Sequence, residues 1–284
     1  MTDYPGQTVV NGELRSTLPT TDRGLRYGDG VFETIAVVDG RPQLLTPHLQ
    51  RLQTGCRRLG FDAPSTACLR ADLSRLQLPR FGVLRMTCTR GAGGPGYRPP
   101  RAPEPTRIVE ARAMPARPHR WWHEGVAVRD CRTRLAPQPA LAGIKHLNRL
   151  EQVLARAEWD DERYAEGLMC SPDGLLVEAT SANLFIDDGE RLIAPTVDQC
   201  GVEGIMQQTL MAQAASLGYP CERQAFPRAA LKPTHGVLLC NSLIGLWQVT
   251  RVAEMPLASS AIGKTLQGWL DEQRLALTPG VVSA

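Results

Sequence analysis

The sequence predicts a mixed α/β fold in two domains. Strand-like and helix-like runs occur in both halves of the 284-residue chain, and Met114-Pro115-Ala116-Arg117-Pro118 interrupts them with a linker composition. The length suffices for two full cores. The expected division is a smaller N-terminal α/β domain at 1–112, a linker at 113–120 and a larger C-terminal domain at 121–284.

In chain order, Val9-Val10-Asn11-Gly12-Glu13-Leu14 reads as a tight hairpin, because Asn-Gly suits a turn with positive φ. Asp22 to Gly30 reads as a loop whose three glycines suggest a close backbone approach. Val31–Val38 reads as a strand. Thr46-Pro47 predicts a helix start, with Thr46 as cap, and Leu49, Leu52, Cys56 and Leu59 form its apolar stripe up to Gly60. Arg51 lies off that stripe, so periodicity alone places it at the surface. A short helix is expected over 68–78 and strands over Val83–Thr89 and Thr106–Ala111. The glycine-rich stretch Arg90–Tyr97 between those strands is a loop.

The second half opens on a strand at Gly125–Cys131 and a proline-rich loop. A helix with Leu147, Leu150, Val153, Leu154 and Ala157 at helical spacing follows. Strands are expected at Leu168–Cys170, Leu175–Ala179, Asn183–Asp187 and Arg191–Pro195. A helix enters at Gly204-Ile205 and stops at Gly218. A buried strand covers Gly236–Ser242, and a terminal helix covers Ile262–Asp271.

Composition excludes several classes. A net charge of +3 gives no footprint for nucleic acid, and the arginines of 98–120 lie among prolines rather than aromatics. The eight cysteines form no C-x-x-C pair, which removes the main support for a zinc or thioredoxin-type site and fits buried thiols in a reducing compartment. Met1–Pro5 shows neither a basic nor an apolar run, and no stretch has the length of a membrane span, so the expected location is cytoplasmic. G-x-S-x-G, H-E-x-x-H and Walker motifs are missing.

What remains is one lysine, one acid and one helix start. Of 32 Lys and Arg residues only Lys145, Lys232 and Lys264 are lysines. Arginine stays protonated, whereas a desolvated lysine can become a nucleophilic amine and form a Schiff base. Lys145 lies between a loop and a helix. Glu178 stands inside an apolar strand. The helix start at Gly204-Ile205 offers free N–H groups and the positive end of a dipole, as every helix does. Together these parts suit pyridoxal phosphate, which needs a lysine for its aldehyde, a cup for its phosphate and a carboxylate for its ring nitrogen.

The stretches Arg23–Thr34, His48–Leu52, Lys145–Arg149, Glu178–Phe185 and Gly201–Met206 resemble, in order, the fold-type IV pyridoxal-phosphate enzymes. That family includes branched-chain and D-amino-acid aminotransferases and aminodeoxychorismate lyases. The run Lys145-His146-Leu147-Asn148-Arg149-Leu150-Glu151 and the loop Arg90–Tyr97 resemble the lyase members most. Branched-chain aminotransferases usually carry tyrosine where Arg149 stands. The loop departs at Pro95, where the lyases commonly carry arginine; Arg98 is the nearest replacement.

The resemblance implies a two-domain, D-amino-acid aminotransferase-like architecture with the cofactor in the interdomain cleft, and a homodimer. It implies that Lys145 is the Schiff-base lysine and Glu178 the pyridine-nitrogen partner. Arg51, the backbone of Ile205 and Met206, and the Ser242 hydroxyl would bind phosphate. It further implies a lyase making 4-aminobenzoate and pyruvate from 4-amino-4-deoxychorismate, with Lys145, or Thr34 as relay, moving protons. Arg26, Arg90 and Arg98 are the candidates for the substrate carboxylates. The alternative is an aminotransferase of the same fold acting on D- or branched-chain amino acids; a non-catalytic binding module that kept the fold is the third reading.

Overall fold

A computed structural model describes residues 4–283. Met1–Asp3, part of the stretch read for targeting signals, lie outside the described residues. The chain divides into two compact units: one runs to Pro115 and includes Ile144–Asn148, and the other holds Ala116–Gly143 and the chain from Arg149 onward. The excursion at 144–148 is invisible to a linear reading of domains, which assigns it to the second half.

The first unit contains β1 (Gln7–Val10), β2 (Glu13–Leu14), α1 (Arg23–Tyr27), β3 (Gly30–Val38), β4 (Arg41–Pro42), α2 (Leu45–Arg58), α3 (Thr66–Ser74), β5 (Phe81–Thr89) and β6 (Thr106–Ala113). Its six strands are all antiparallel, in the order β2-β1-β6-β5-β3-β4. The hairpin turn is as expected, with Asn11 and Gly12 at positive φ. Val31, Ile35, Val37, Leu84 and Met86 bury one sheet face against Leu49, Leu52 and Cys56 of α2 and Leu69 of α3. Two local expectations fail. The glycine stretch at 22–30 contains α1, because the buried Asp22 accepts from Gly24 N at 2.8 Å and Gly28 ends the turn in the left-handed region. The start of α2 lies at Leu45, with Leu44 as an N-cap that makes no side-chain bond, so Thr46 is not the cap. Pro47 sits in the first turn, where its missing N–H leaves no bond unmade.

The second unit contains α4 (Arg120–His123), β7 (Val126–Asp130), α5 (Leu150–Arg156), β8 (Tyr164–Cys170), β9 (Leu175–Ala179), β10 (Asn183–Asp187), β11 (Leu192–Ala194), α6 (Ile205–Ser216), β12 (Cys221–Arg223), β13 (Phe226–Pro227), β14 (Gly236–Asn241), β15 (Gly245–Val252), β16 (Met255–Pro256), α7 (Ala261–Glu272) and α8 (Pro279–Val282). Its ten-stranded mixed sheet runs β12-β11-β10-β14-β15-β7-β8-β9-β13, with β16 on β15. The pairs β11/β12, β15/β7 and β7/β8 are parallel. The long strand β15, with Leu246, Trp247 and Val249 buried, lies mid-sheet between β14 and β7. The sequence predicts no strand over Gly245–Val252, where Gln248, Thr250 and Arg251 interrupt the apolar residues.

Helix α5 departs most from expectation. Periodicity made Leu150, Val153 and Leu154 a core stripe, yet they are 75%, 59% and 61% exposed, and the helix buries Gln152 and Ala155 instead. All eight cysteines are free thiols, six of them buried. No helix among the described residues is long and apolar enough to cross a membrane.

Candidate active site

The lysine segment belongs to the first unit, and β3 grips it. Phe32 N donates to Lys145 O at 2.9 Å, Leu147 N donates to Gly30 O at 3.0 Å, and Val31 bridges His146. Ile144 is buried in the core of that unit. The glycine motif explains its own spacing here. Asn148 Nδ2 donates to Gly28 O at 3.2 Å, and a Cβ on Gly28 would stand 2.5 Å from Asn148 Oδ1. At Gly28 the close backbone approach read from the glycines is an approach to the lysine segment.

Strand alternation places Phe32 and Thr34 on the face of β3 opposite its core. Lys145 Nζ lies 4.5 Å from the Phe32 ring centroid, and Thr34 is the next residue along that face. Arg85, which pairs with Thr34, holds its guanidinium 4.2 Å from the same ring. Burial pushes the Arg85 pKa down; the carboxylate of Glu110, 3.9 Å away, opposes this. Lys145 Nζ and the Arg85 guanidinium thus share one aromatic ring. The β3/β5 register brings Arg85 to this ring, a contact that no local sequence pattern reveals.

Arg51 is not a surface residue. It donates through Nε to Glu33 Oε1 at 2.8 Å and through Nη2 to Glu33 Oε2 at 2.5 Å, and its side chain is 15% exposed. Periodicity misplaced it because a buried carboxylate, not apolar packing, draws it inward.

The three substrate arginines separate. Arg90 is buried, with Nε on Asp29 Oδ2 at 2.7 Å, Nη1 on Gly60 O and Nη2 on Leu59 O. Its donors hold loops together, at variance with the expected contact to a substrate carboxylate. Arg23 grips the same Asp29 oxygen at 2.8 Å and donates to Gly96 O and Tyr97 O, which anchors the glycine loop. Burial pushes the Asp29 carboxyl up, but Arg90 and Arg23 outweigh it and hold it below the usual range. Arg26 and Arg98 are exposed; Arg26 donates to Thr20 O.

In the second unit, Glu178 is the penultimate residue of β9 and is almost fully buried. Gln152 Nε2 of α5 donates to its Oε1 at 3.2 Å and Val202 N donates to its Oε2 at 2.8 Å. Glu178 also acts on the Arg149 cation: burial lowers the Arg149 pKa and the charge of Glu178 opposes that. Val202 O in turn accepts from Asn183 Nδ2 at 2.8 Å. A Cβ on Gly204 would stand 1.9 Å from Asn183 Oδ1, so glycine is required there. These bonds bolt Val202–Gly204 to the β9–β10 turn and set where α6 begins. Gly204 caps α6 without a side-chain bond, and the first turn holds no acid. Ser242 follows β14, whose last residue, Asn241, donates to Ser181 O.

One end of this sheet therefore collects a buried carboxylate, a hydroxyl and an uncapped helix start. Such a donor set fits a pyridine nitrogen and a phosphate. Ile205 and Met206 lead that helix turn. Gln152 Oε1 is buried without a hydrogen-bond partner, beside Glu178. Nothing in the set suits a metal: among the described residues, no group of three His, Cys, Asp or Glu side chains could hold an ion.

Comparison with known proteins places the chain. Residues 30–252 match the family model for amino-transferase class IV. An aminodeoxychorismate lyase of Vibrio harveyi is 32% identical over 245 residues, which cover 86% of this chain and 90% of that one. A putative branched-chain-amino-acid aminotransferase of Methanocaldococcus jannaschii is 31% identical, covering 69% of each. The crystal structure of 4-amino-4-deoxychorismate lyase from Pseudomonas aeruginosa superposes with a TM-score of 0.90 at 43% identity, covering 93% of this chain and 98% of that chain. The chain belongs to the class IV amino-transferase family, whose fold-type IV enzymes use pyridoxal phosphate.

Proposed function

We propose that this protein is a pyridoxal-phosphate-dependent carbon–oxygen lyase that converts 4-amino-4-deoxychorismate to 4-aminobenzoate and pyruvate. The observation that carries the reading is the likeness, in both sequence and structure, to proteins with that activity. The residues that would hold the cofactor are Lys145 and Arg51 of the first unit and Glu178, Ile205, Met206 and Ser242 of the second. When bound, pyridoxal phosphate supplies an electron sink for charge developing at the carbon that bears the substrate amine.

The rest of the chemistry falls to side chains. The Lys145 amine takes the proton from that carbon as the carbon–oxygen bond to the enolpyruvyl group breaks and the ring becomes aromatic. Lys145, or Thr34 relaying from it, then delivers a proton to the departing enolpyruvate, which gives pyruvate. Acid–base help of this kind is worth about 10²–10⁴-fold. The Phe32 ring beside Nζ supplies an apolar wall that excludes water from the amine. Arg26 and Arg98, exposed and close in sequence to the α1 and glycine-loop motifs, remain the candidates for the two substrate carboxylates.

The homodimer expected from the family gains support from α5, whose stripe of Leu150, Val153 and Leu154 is left for a second copy of the chain to cover. The free thiols support a reducing, cytoplasmic setting.

Product analysis tests the reading: substrate alone yields 4-aminobenzoate with no keto acid added. Turnover that requires a keto-acid acceptor would instead establish the aminotransferase reading, which the Methanocaldococcus jannaschii relative favours.

A further inference from the structure

Glu33 has no part in the chemistry above, yet it is fully buried. It lies on β3 between Phe32 and Thr34, and alternation turns it to the opposite face, among Val31, Ile35, Val37 and Leu52. Packing alone would place an apolar residue there, as it does at 31 and 35. A carboxylate in such a core is costly unless it is paired and hydrogen-bonded. Glu33 is offset by two residues one helical turn apart on α2. His48, itself fully buried, sets Nδ1 2.7 Å from Oε2, and Arg51 grips both oxygens as a fork.

We propose that Glu33, seated by His48, is a positioning residue that fixes the plane of the Arg51 guanidinium, so that this cation meets the cofactor phosphate already oriented. The inference rests on the cofactor reading above. A bare arginine has four side-chain torsions to immobilise when it captures an anion. A bidentate carboxylate removes most of that freedom before binding. Strand β3 then serves two ends with its two faces: Phe32 and Thr34 on the Lys145 side, and Glu33 on the Arg51 side.

The test compares pyridoxal phosphate with pyridoxal, which has the aldehyde but no phosphate, by titrating the visible absorbance of the lysine adduct. Glu33→Gln keeps the volume and removes the charge. It raises the dissociation constant for pyridoxal phosphate roughly 10–100-fold, the usual worth of a charged hydrogen bond, and leaves pyridoxal within about twofold. Arg51→Ala shows the same selective loss. The double variant loses no more than Arg51→Ala alone, because Glu33 acts only through Arg51. Equal weakening of both ligands, or an unchanged affinity for pyridoxal phosphate, overturns the proposal. If Glu33→Gln does not fold, His48→Gln asks the same question: the ratio of the two affinities falls, and an unchanged ratio overturns the idea. Wild-type protein that binds neither ligand sinks the cofactor reading itself, and this proposal with it.

Discussion

Helices α2 and α5 look alike in sequence and end in opposite surroundings. Both carry apolar residues three and four apart beside a motif of the site. In α2, Leu49 and Leu52 are 2% and 1% exposed, packed on the sheet of their own unit. In α5 the equivalent stripe faces outward. Periodicity states that a face will be covered; it does not state by what. Each helix also presents polar side chains to a buried glutamate. His48 and Arg51 of α2 hold Glu33, and Gln152 of α5 holds Glu178. Glu33 is matched directly by a permanent cation. Glu178 is oriented by an amide, Gln152 Nε2, and by the backbone N–H of Val202. The first arrangement suits a structural anchor and the second suits a carboxylate that meets a protonated ring nitrogen.

Four variants sharpen this contrast. The largest effect belongs to Glu178→Gln, where turnover falls about 10²–10⁴-fold while the lysine adduct still forms. Retention of wild-type turnover would remove the distinction between the two glutamates. Next, Leu52→Ala of α2 lowers unfolding free energy in denaturant by about 2–5 kcal/mol. Leu154→Ala of α5, at monomer concentrations, shifts it by no more than about 0.5 kcal/mol. The charged variant Leu154→Glu leaves the fold intact and shifts sedimentation from the proposed dimer to monomer; a dimer that survives it would show that the stripe is not the contact.

The smallest effect is acid stability. Burial pushes Glu33 up, but Arg51 and then His48 outweigh it and depress its folded-state value. Such a group stabilises the fold above the ordinary glutamate value of 4.5 and loses that contribution as pH falls through the lower folded value. The melting temperature of wild type therefore drops below about pH 4.5, and Glu33→Gln flattens part of that drop. Equal acid slopes would mean that Glu33 is not ionised in the folded state.

Much of the fold was legible where local chemistry decided it. The Asn11-Gly12 turn, the β9 and β10 bounds and the α6 start all follow from turn residues or apolar runs. The lysine motif was legible by scarcity and by its neighbours. What escaped depends on contacts distant in sequence. Arg51 faces inward because Glu33 lies eighteen residues earlier on another element. Arg90 is spent on Asp29 and two loop carbonyls, which its sequence neighbourhood does not reveal. The transfer of Ile144–Asn148 to the first unit rests on backbone bonds to β3, and backbone bonds leave little trace in side-chain pattern.

Lysine is scarce enough for the Schiff-base residue to be mapped directly. Purified protein loaded with pyridoxal phosphate is reduced with borohydride and digested, and the modified peptide is identified by mass. Only three lysines compete for the label. The expected result is a single phosphopyridoxyl adduct on Lys145 and none after Lys145→Ala. An adduct on Lys232 or Lys264 with Lys145 unmodified, or no adduct at all, would contradict it.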